Sequence, residues 1–567
     1  MADPISRRTV FAYSAGIAGA TYAGIVAKEH AERGRVADQA DPGDPAAPVT
    51  SPAPGRVTSP VPRPRGARPP AFPAPRVLSA AGGELRVTLT ARAALVDLGA
   101  PQLIRTYAYD NAIPGRTWEI RGGDTLRVHL RNRLPAAAGR PAVPDRPHAW
   151  TTTNLHTHGL HVSPAGHADN VFLEIPPGEE QHLEIAVPRD HPGGLFWYHP
   201  HWPGAAAQQL RGGMAGALIV RGAIDEVEEV AAAREHVMVL QAIELGGRYE
   251  LLDPVPEPAA GQSFFPRSRV LYPVNGTLAP TVTMYPGEVQ RWRLLNAAAG
   301  TFMSLRLARH DFHVLAWDGL TLRAPDPARV LMLSPGNRAE VLVRAGRPGR
   351  YDLVLTPGSS QYPDIPGMPA AGAPSPTEPG RAGVPGFPVV PGELAARAVL
   401  SVEVTGHGPA MGLPTGLPAF DPPVGRIARR RDVAFTARQP RGAPFPAFGV
   451  DGVPFDPARP PYRPVLGTAE EWTVTNAPGP GLAQQAYAFH VHTNPFRITK
   501  RNGTRLAEPA WRDTCVLTKG AGDSITLETY FADFPGRLTE HCQVLPQADL
   551  GLMSGIEIVR PGEHRRR

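Results

Sequence analysis

Three stretches of this chain alternate apolar and polar residues in the same way over the same length. Residues 123–132 read Gly-Asp-Thr-Leu-Arg-Val-His-Leu-Arg-Asn, residues 287–296 read Gly-Glu-Val-Gln-Arg-Trp-Arg-Leu-Leu-Asn, and residues 467–476 read Gly-Thr-Ala-Glu-Glu-Trp-Thr-Val-Thr-Asn. Each opens on Gly and closes on Asn, and the period of two between them predicts a half-buried strand. The starts lie 164 (287 − 123) and 180 (467 − 287) residues apart, intervals the size of a domain. The pattern predicts an all-β protein of three homologous β-sandwich domains over residues 77–225, 226–405 and 431–561. Residues 406–430 read as a linker, and the Pro- and Gly-rich stretch 357–395 as a long loop late in the second domain.

The alternation is missing at both ends. Residues 10–27 form an uncharged apolar run directly after Arg7 and Arg8, so residues 1–27 read as a twin-arginine-like export signal. The run is also long enough to span a bilayer, so an uncleaved membrane anchor is the rival reading; otherwise no stable membrane span is expected. Residues 28–76, rich in Pro and Ala without periodicity, read as a disordered linker, and 562–567 as a basic tail. The protein is thus expected outside the cytoplasm, in the periplasm, the envelope or the medium.

Composition changes this picture little. Among 567 residues, Pro (67) and Gly (59) favour short strands and turns over helices. The net charge of +6 is small for this length, and no basic stripe interleaved with aromatics appears, which argues against nucleic acid as a partner. Arginines 429–431 and 565–567 read as solvated linker and tail. Two cysteines cannot build a disulfide framework.

The chemistry lies in histidine pairs. His156 and His158 follow the first Gly-to-Asn repeat, and His199 and His201 come next in the same domain. His490 and His492 follow the third repeat in the corresponding place, with His541 farther on. On a strand, each His-x-His puts both imidazoles on one face, close enough to share a metal cluster. Three pairs in the first and last repeats, with none in the middle, form a pattern that packing does not require. His161, His167, His182, His191, His310 and His313 lack it and read as structural. Imidazole suits copper, zinc, iron and nickel, whereas structural zinc would want closed sites of four with several cysteines. Cys542, next to His541, points to the opposite face of its strand, so one strand could serve two metal sites.

With these motifs in place, the chain resembles the three-domain multicopper oxidases, the laccase-like group. The resemblance covers roughly residues 80–560 and includes all four copper motifs and the stretch 163–178 between the first two. It implies three cupredoxin-like Greek-key sandwiches, copper as cofactor, and dioxygen and a small reducing substrate as partners. It also implies a trinuclear cluster on eight histidines and a mononuclear blue copper on two histidines and a cysteine. Carried over by position, His156 and His490 match the ligands of the single cluster copper. His158, His199, His201, His492 and His541 match ligands of the paired coppers, and the eighth position is Gln543. At the blue site Cys542 is kept, but its two histidine positions are Tyr487 and Gln547, and the axial position is Leu552.

These departures decide the functional expectation. A glutamine amide is a poor substitute for imidazole on copper, and a tyrosine must lose a proton of pKa about 10 to bind metal. The chain is therefore expected to bind copper in a trinuclear-type cluster, itself incomplete for want of the eighth histidine, with laccase-type turnover weak or absent. The alternative is a non-catalytic exported protein on the same scaffold, with an envelope partner or a copper-holding role. Cys515 reads as a small buried residue, and a disulfide to Cys542 is the other option open to it.

Overall fold

The computed structural model describes residues 70–136, 146–259, 262–358, 395–441, 443, 445–479, 482, 486–517 and 522–563. The export signal 1–27, most of the N-terminal linker, most of the loop 357–395 and residues 564–567 lie outside the described residues. Within them, strands predominate and sort into three pairs of larger sheets and one two-stranded sheet, Ile243–Leu245 with Arg269–Leu271.

In the first sandwich, Ile104–Tyr109, Glu84–Val96, Thr125–Arg133 and Glu180–Ala186 form one sheet. Val77–Ser79, Thr117–Arg121, Gly216–Arg221, Gly194–His199 and His156–His158 form the other. The second pairs Arg234–Leu240, Val289–Asn296, Arg338–Arg344, Phe312–Trp317 and Leu320–Ala328 with Thr281–Met284, Arg397–Val404, Gly349–Gly358, Phe302–Leu307 and Leu331–Leu333. In the third, one sheet runs Ala447–Val450, Ile427–Arg438, Thr468–Pro478, Ser524–Phe531, Phe496–Arg501 and Thr504–Arg512. The other runs Thr514–Leu517, Tyr487–Val491, Gly536–Cys542 and Met553–Ile558. Apolar side chains from facing sheets fill each core, as with Leu126 and Val128 against Trp118 and Leu218 in the first.

The three Gly-to-Asn repeats occupy equivalent strands. Each lies between a parallel neighbour that precedes it in sequence and an antiparallel neighbour that follows. The opening glycines 123, 287 and 467 have φ of 95°, 80° and 80°, the left-handed region where a side chain is strained. The closing asparagines of the first two repeats act alike: Asn132 donates to the carbonyls of Thr151 and Ile175, and Asn296 to those of Thr301 and Leu333.

Three expectations need correction. The strand Val289–Asn296, predicted as half-buried, is buried at every position, because Arg291 and Arg293 point into a buried ion network. Arg291 meets Asp225 and Glu340, each at 2.6 Å, and Arg293 meets Asp225 at 2.7 Å and Glu235 at 2.9 Å. The run at 429–431 is not linker: it lies in the strand Ile427–Arg438, where Arg429 and Arg430 are exposed as expected but Arg431 is not solvated. There Arg431 forks onto buried Glu470 at 2.5 and 2.8 Å, and Arg430 meets Glu471 at 2.8 Å. Nor does order begin at Val77, since Phe72 N donates to Thr281 O at 2.9 Å and Thr117 N to Arg76 O at 2.9 Å.

The first and third sandwiches share one apolar cluster, in which Leu195 and Trp197 join Phe489, Leu545 and Leu550. Among the described residues, no helix is long and apolar enough to cross a membrane.

Candidate metal centre

Strand register brings the histidine pairs together. His156–His158 runs antiparallel to Gly194–His199 with His156 opposite His199. Tyr487–Val491 lies between Thr514–Leu517 and Gly536–Cys542, with His490 opposite both Thr514 and His541. The first-domain and third-domain pairs then interleave. The ring of His156 stacks on His492 at 3.9 Å and 8°, and that of His158 on His490 at 3.8 Å and 10°. His201, just past its strand, is held by its backbone N–H on Asn154 Oδ1 at 2.6 Å.

All seven imidazoles are buried. The Nε2 atoms of His201 and His492 lie 2.9 and 3.1 Å from that of His541. Within each of the groups His156/His158/His199, His156/His490/His492 and His201/His492/His541, the donor atoms lie within 4.8 Å of one another. The far sides of the rings are tied down. Nδ1 of His156 is bonded to Asp169 at 3.0 Å, that of His490 to Asp513 O at 2.7 Å, that of His199 to Pro200 O at 2.9 Å, and that of His541 to Cys542 O at 3.1 Å. An Nδ1–H donated to oxygen leaves Nε2 as a bare lone pair aimed inward. Nε2 of His156, His199 and His490 and Nδ1 of His158 have no hydrogen-bond partner.

Burial is the largest cause pushing every one of these imidazoles below its ordinary basicity. It brings His199, His490 and His541 to about 3, and the neighbouring imidazoles act in the same direction on His156, His158, His201 and His492. The cluster is therefore a set of neutral donors with unused lone pairs, the state a transition metal binds. The donor set fits copper.

Gln543 is fully buried beside it, and neither its Oε1 nor its Nε2 has a partner. A Cβ on Gly336 would come 2.7 Å from Gln543 Cγ and 3.1 Å from His158 Cε1, so both side chains stand against the Gly336 backbone.

On the other face of the strand Gly536–Cys542 the donors do not fit. Cys542 Sγ contacts Gln547 Oε1 at 3.4 Å, its N–H donates to Leu552 O at 3.0 Å, and the Tyr487 hydroxyl has no partner. All four residues are buried in the apolar cluster or at its edge. Burial pushes the Cys542 thiol up to about 12 and the Tyr487 phenol well above its ordinary value, so both stay protonated. Among the described residues, no group of three histidine, cysteine or carboxylate donors includes Cys542.

The disulfide option fails on geometry. Both cysteines are free. Cys515 and Cys542 stand opposite Phe489 from its two sides, and two strand spacings of about 4.8 Å exceed the 7 Å limit for bridging Cα atoms. Of the remaining histidines, His161 bonds Thr493 O and Asp533, His191 accepts from His161 N, and His310 accepts from Gly346 N.

Four residues missed in the sequence support the cluster. Asp169 holds His156, and Thr514 Oγ1 lies 3.2 Å from both His158 Nε2 and His490 Nδ1. Asp513 carries the carbonyl on His490. Asp549, after the helical turn Leu545–Ala548, accepts from Gly204 N at 3.0 Å and Ala207 N at 2.8 Å, seating the segment after His201 at the start of the helix Ala206–Gly212. Asp169 lies inside the stretch 163–178 and Asp513 two residues before Cys515, but nothing in their spacing marks them.

Four buried groups of converging donors, the three above and His158/His490/Asp513, framed by three sandwiches, define a metal-binding β-sandwich protein. Models described as Multicopper oxidase match residues 147–224, 248–371 and 427–561, one in each sandwich. The chain belongs to the multicopper oxidase family, which binds copper. The Cell division protein FtsP of Sodalis glossinidius is 26% identical over 507 residues, 87% of this chain and 93% of that protein. The Multicopper oxidase mco of Staphylococcus aureus is 20% identical over 478 residues, 83% of this chain and 88% of that protein. Among solved structures, the laccase-like multi-copper oxidase CueO from Ochrobactrum sp. has a TM-score of 0.64 at 22% identity, covering 86% of this chain and 100% of that one. The McoA multicopper oxidase from Aquifex aeolicus has a TM-score of 0.66 at 17% identity, covering 87% and 100%. At these identities the structural likeness is one of fold.

Proposed function

We propose that this protein is an exported copper-binding member of the family that holds copper on His156, His158, His199, His201, His490, His492 and His541 without laccase-type turnover. The observation that carries this reading is the contrast between the two faces of one strand. On one face, seven neutral imidazoles converge, several with unpaired nitrogens. On the other, Cys542 meets an amide, a phenol and leucine. Bound copper would supply one-electron redox chemistry toward dioxygen. The chain's own residues aim the lone pairs, exclude water and keep the imidazoles neutral. What is lacking is a route for electrons from a reducing substrate, because the position next to Cys542 that would meet one is Gln547, buried at 2% exposure. In the group His201, His492 and His541, two Nε2 atoms lie 2.9 and 3.1 Å from that of His541, so this group should fill first; the corner beside Gln543 should be the weakest.

Metal analysis of the purified protein, with its absorption spectrum and oxygen consumption on a phenolic donor, tests this reading. Expected are fewer than four coppers per chain, no intense blue band and oxygen consumption at background. Four tightly held coppers or a strong blue colour would overturn it. The likeness to proteins named for cell division supports an envelope-protein partner as the role the scaffold serves. Deletion of the gene should then disturb division rather than copper tolerance.

A further inference from the structure

The middle sandwich brings no imidazole to the cluster, yet its turn at residues 334–338 forms one wall of it. Gly336 stands against both Gln543 and His158. Asn337 Nδ2 donates to Thr514 O at 3.0 Å. Arg338, fully buried, spends all five of its N–H donors. Nε donates to Leu195 O at 3.1 Å in the first sandwich. Nη1 donates to Gly336 O at 3.0 Å and Asp513 Oδ1 at 2.9 Å, and Nη2 to Asp318 O at 2.8 Å and Asp513 Oδ2 at 2.6 Å. One guanidinium thus ties backbone or carboxylate from all three sandwiches, and its fork on Asp513 is bidentate.

Asp513 passes that fixation on. Its carbonyl holds His490 Nδ1, and its Oδ1 accepts from Thr514 Oγ1 at 2.9 Å and lies 3.5 Å from His158 Nε2. The ion pair also shapes the turn after His158. A Cβ on Gly159, whose φ is +89°, would lie 2.4 Å from Arg338 Nη2 and 2.5 Å from Asp513 Oδ2. His158 is therefore pressed against the ion pair through Gly159, while His490 hangs from it by a hydrogen bond.

We propose that Arg338 is a positioning residue for the cluster, so that the middle sandwich governs how firmly the corner made by His158 and His490 holds copper. This rests on the copper-holding reading above. The test compares Arg338→Lys, which keeps the charge but has no planar fork, with Arg431→Lys. Arg431 makes a similar buried bidentate pair with Glu470, in the third-sandwich sheet that carries none of the seven histidines. R338K should weaken the last-filled copper roughly 10- to 100-fold, the usual effect of losing a group that orients a ligand, and R431K should leave every copper affinity unchanged. In copper-free protein, nitrogen-15 NMR should show the His490 Nδ1–H exchanging faster in R338K but not in R431K. Should R338K fail to fold, Asp513→Asn, of the same shape, carries the same expectations. Copper isotherms of R338K that superimpose on wild type, or equal weakening in both variants, would overturn the proposal. A wild-type chain that takes up no copper sinks the functional reading instead, and the NMR comparison still decides the role of Arg338.

Discussion

Replacing Cys542 with alanine distinguishes a packed thiol from a metal anchor. Cys542 is 0% exposed and its thiol touches only the Gln547 amide at 3.4 Å among the contacts of its polar group. Removing a buried group the size of a methylene costs about 1 kcal/mol in transfer free energy. A void of roughly 25 Å³ at about 24 cal/mol per Å³ adds about 0.6 kcal/mol. The weak thiol hydrogen bond contributes about 0.5 kcal/mol. C542A should therefore lower stability by about 2 kcal/mol, read as a lower urea midpoint with an unchanged slope. The assay is urea unfolding of copper-free protein followed by tryptophan fluorescence, run beside copper analysis of the loaded variant. Copper stoichiometry should not change. Loss of one copper per chain, or of any visible absorption, would refute the view that this side of the strand is apolar core.

Restoring Tyr487→His, Gln547→His and Gln543→His together should produce blue absorption and oxygen consumption on a phenolic donor; each change alone should do little, and a folded triple mutant with neither signal would mean that the surrounding pocket has diverged too. His541→Ala removes the nitrogen shared by two contacts in the converging group, so it should abolish the tightest copper, read by equilibrium dialysis. Burial pushes the Asp549 carboxyl up to about 7 from an unfolded value near 3.8, so the unfolded chain releases its proton first and this group's contribution to stability falls as pH rises from about 4 to about 7; unfolding titrations of copper-free protein should lose that component in Asp549→Asn. Changing Arg7 and Arg8 to lysine should block export of folded protein, and undiminished appearance outside the cytoplasm would count against a twin-arginine route.

What could be read from the sequence was local. The alternation in 123–132 predicts a strand because neighbouring side chains alone set the period. The His-x-His pairs predict a shared face for the same reason. The failures all involve partners far along the chain. Arg291 and Arg293 look like outward positions until Glu340, Asp225 and Glu235 are placed beside them. Arg431 looks solvated until the parallel register sets its strand beside Thr468–Pro478 and its guanidinium on Glu470. Arg338 sits in a turn whose spacing carries no metal signature, and its meaning depends on Asp513, 175 residues away. The substitutions at 487, 543 and 547 were legible as departures from a pattern. The sealing of Gln547 in the core was not, because burial there depends on how several segments meet.

The stacked rings of His156 and His492 are 336 residues apart in sequence (492 − 156), those of His158 and His490 are 332 apart (490 − 158), and His541 comes 49 residues after His492 (541 − 492). Closing so long a loop is slow and comes late in folding. A growing chain that has made its first sandwich holds two histidine pairs and nothing to complete them. Copper can be captured tightly only once the last sandwich has formed and docked, with the middle turn in place. Metal content is therefore a receipt for assembly: a chain that carries its copper has, by that fact, been made past His541 and has brought its first and third sandwiches together.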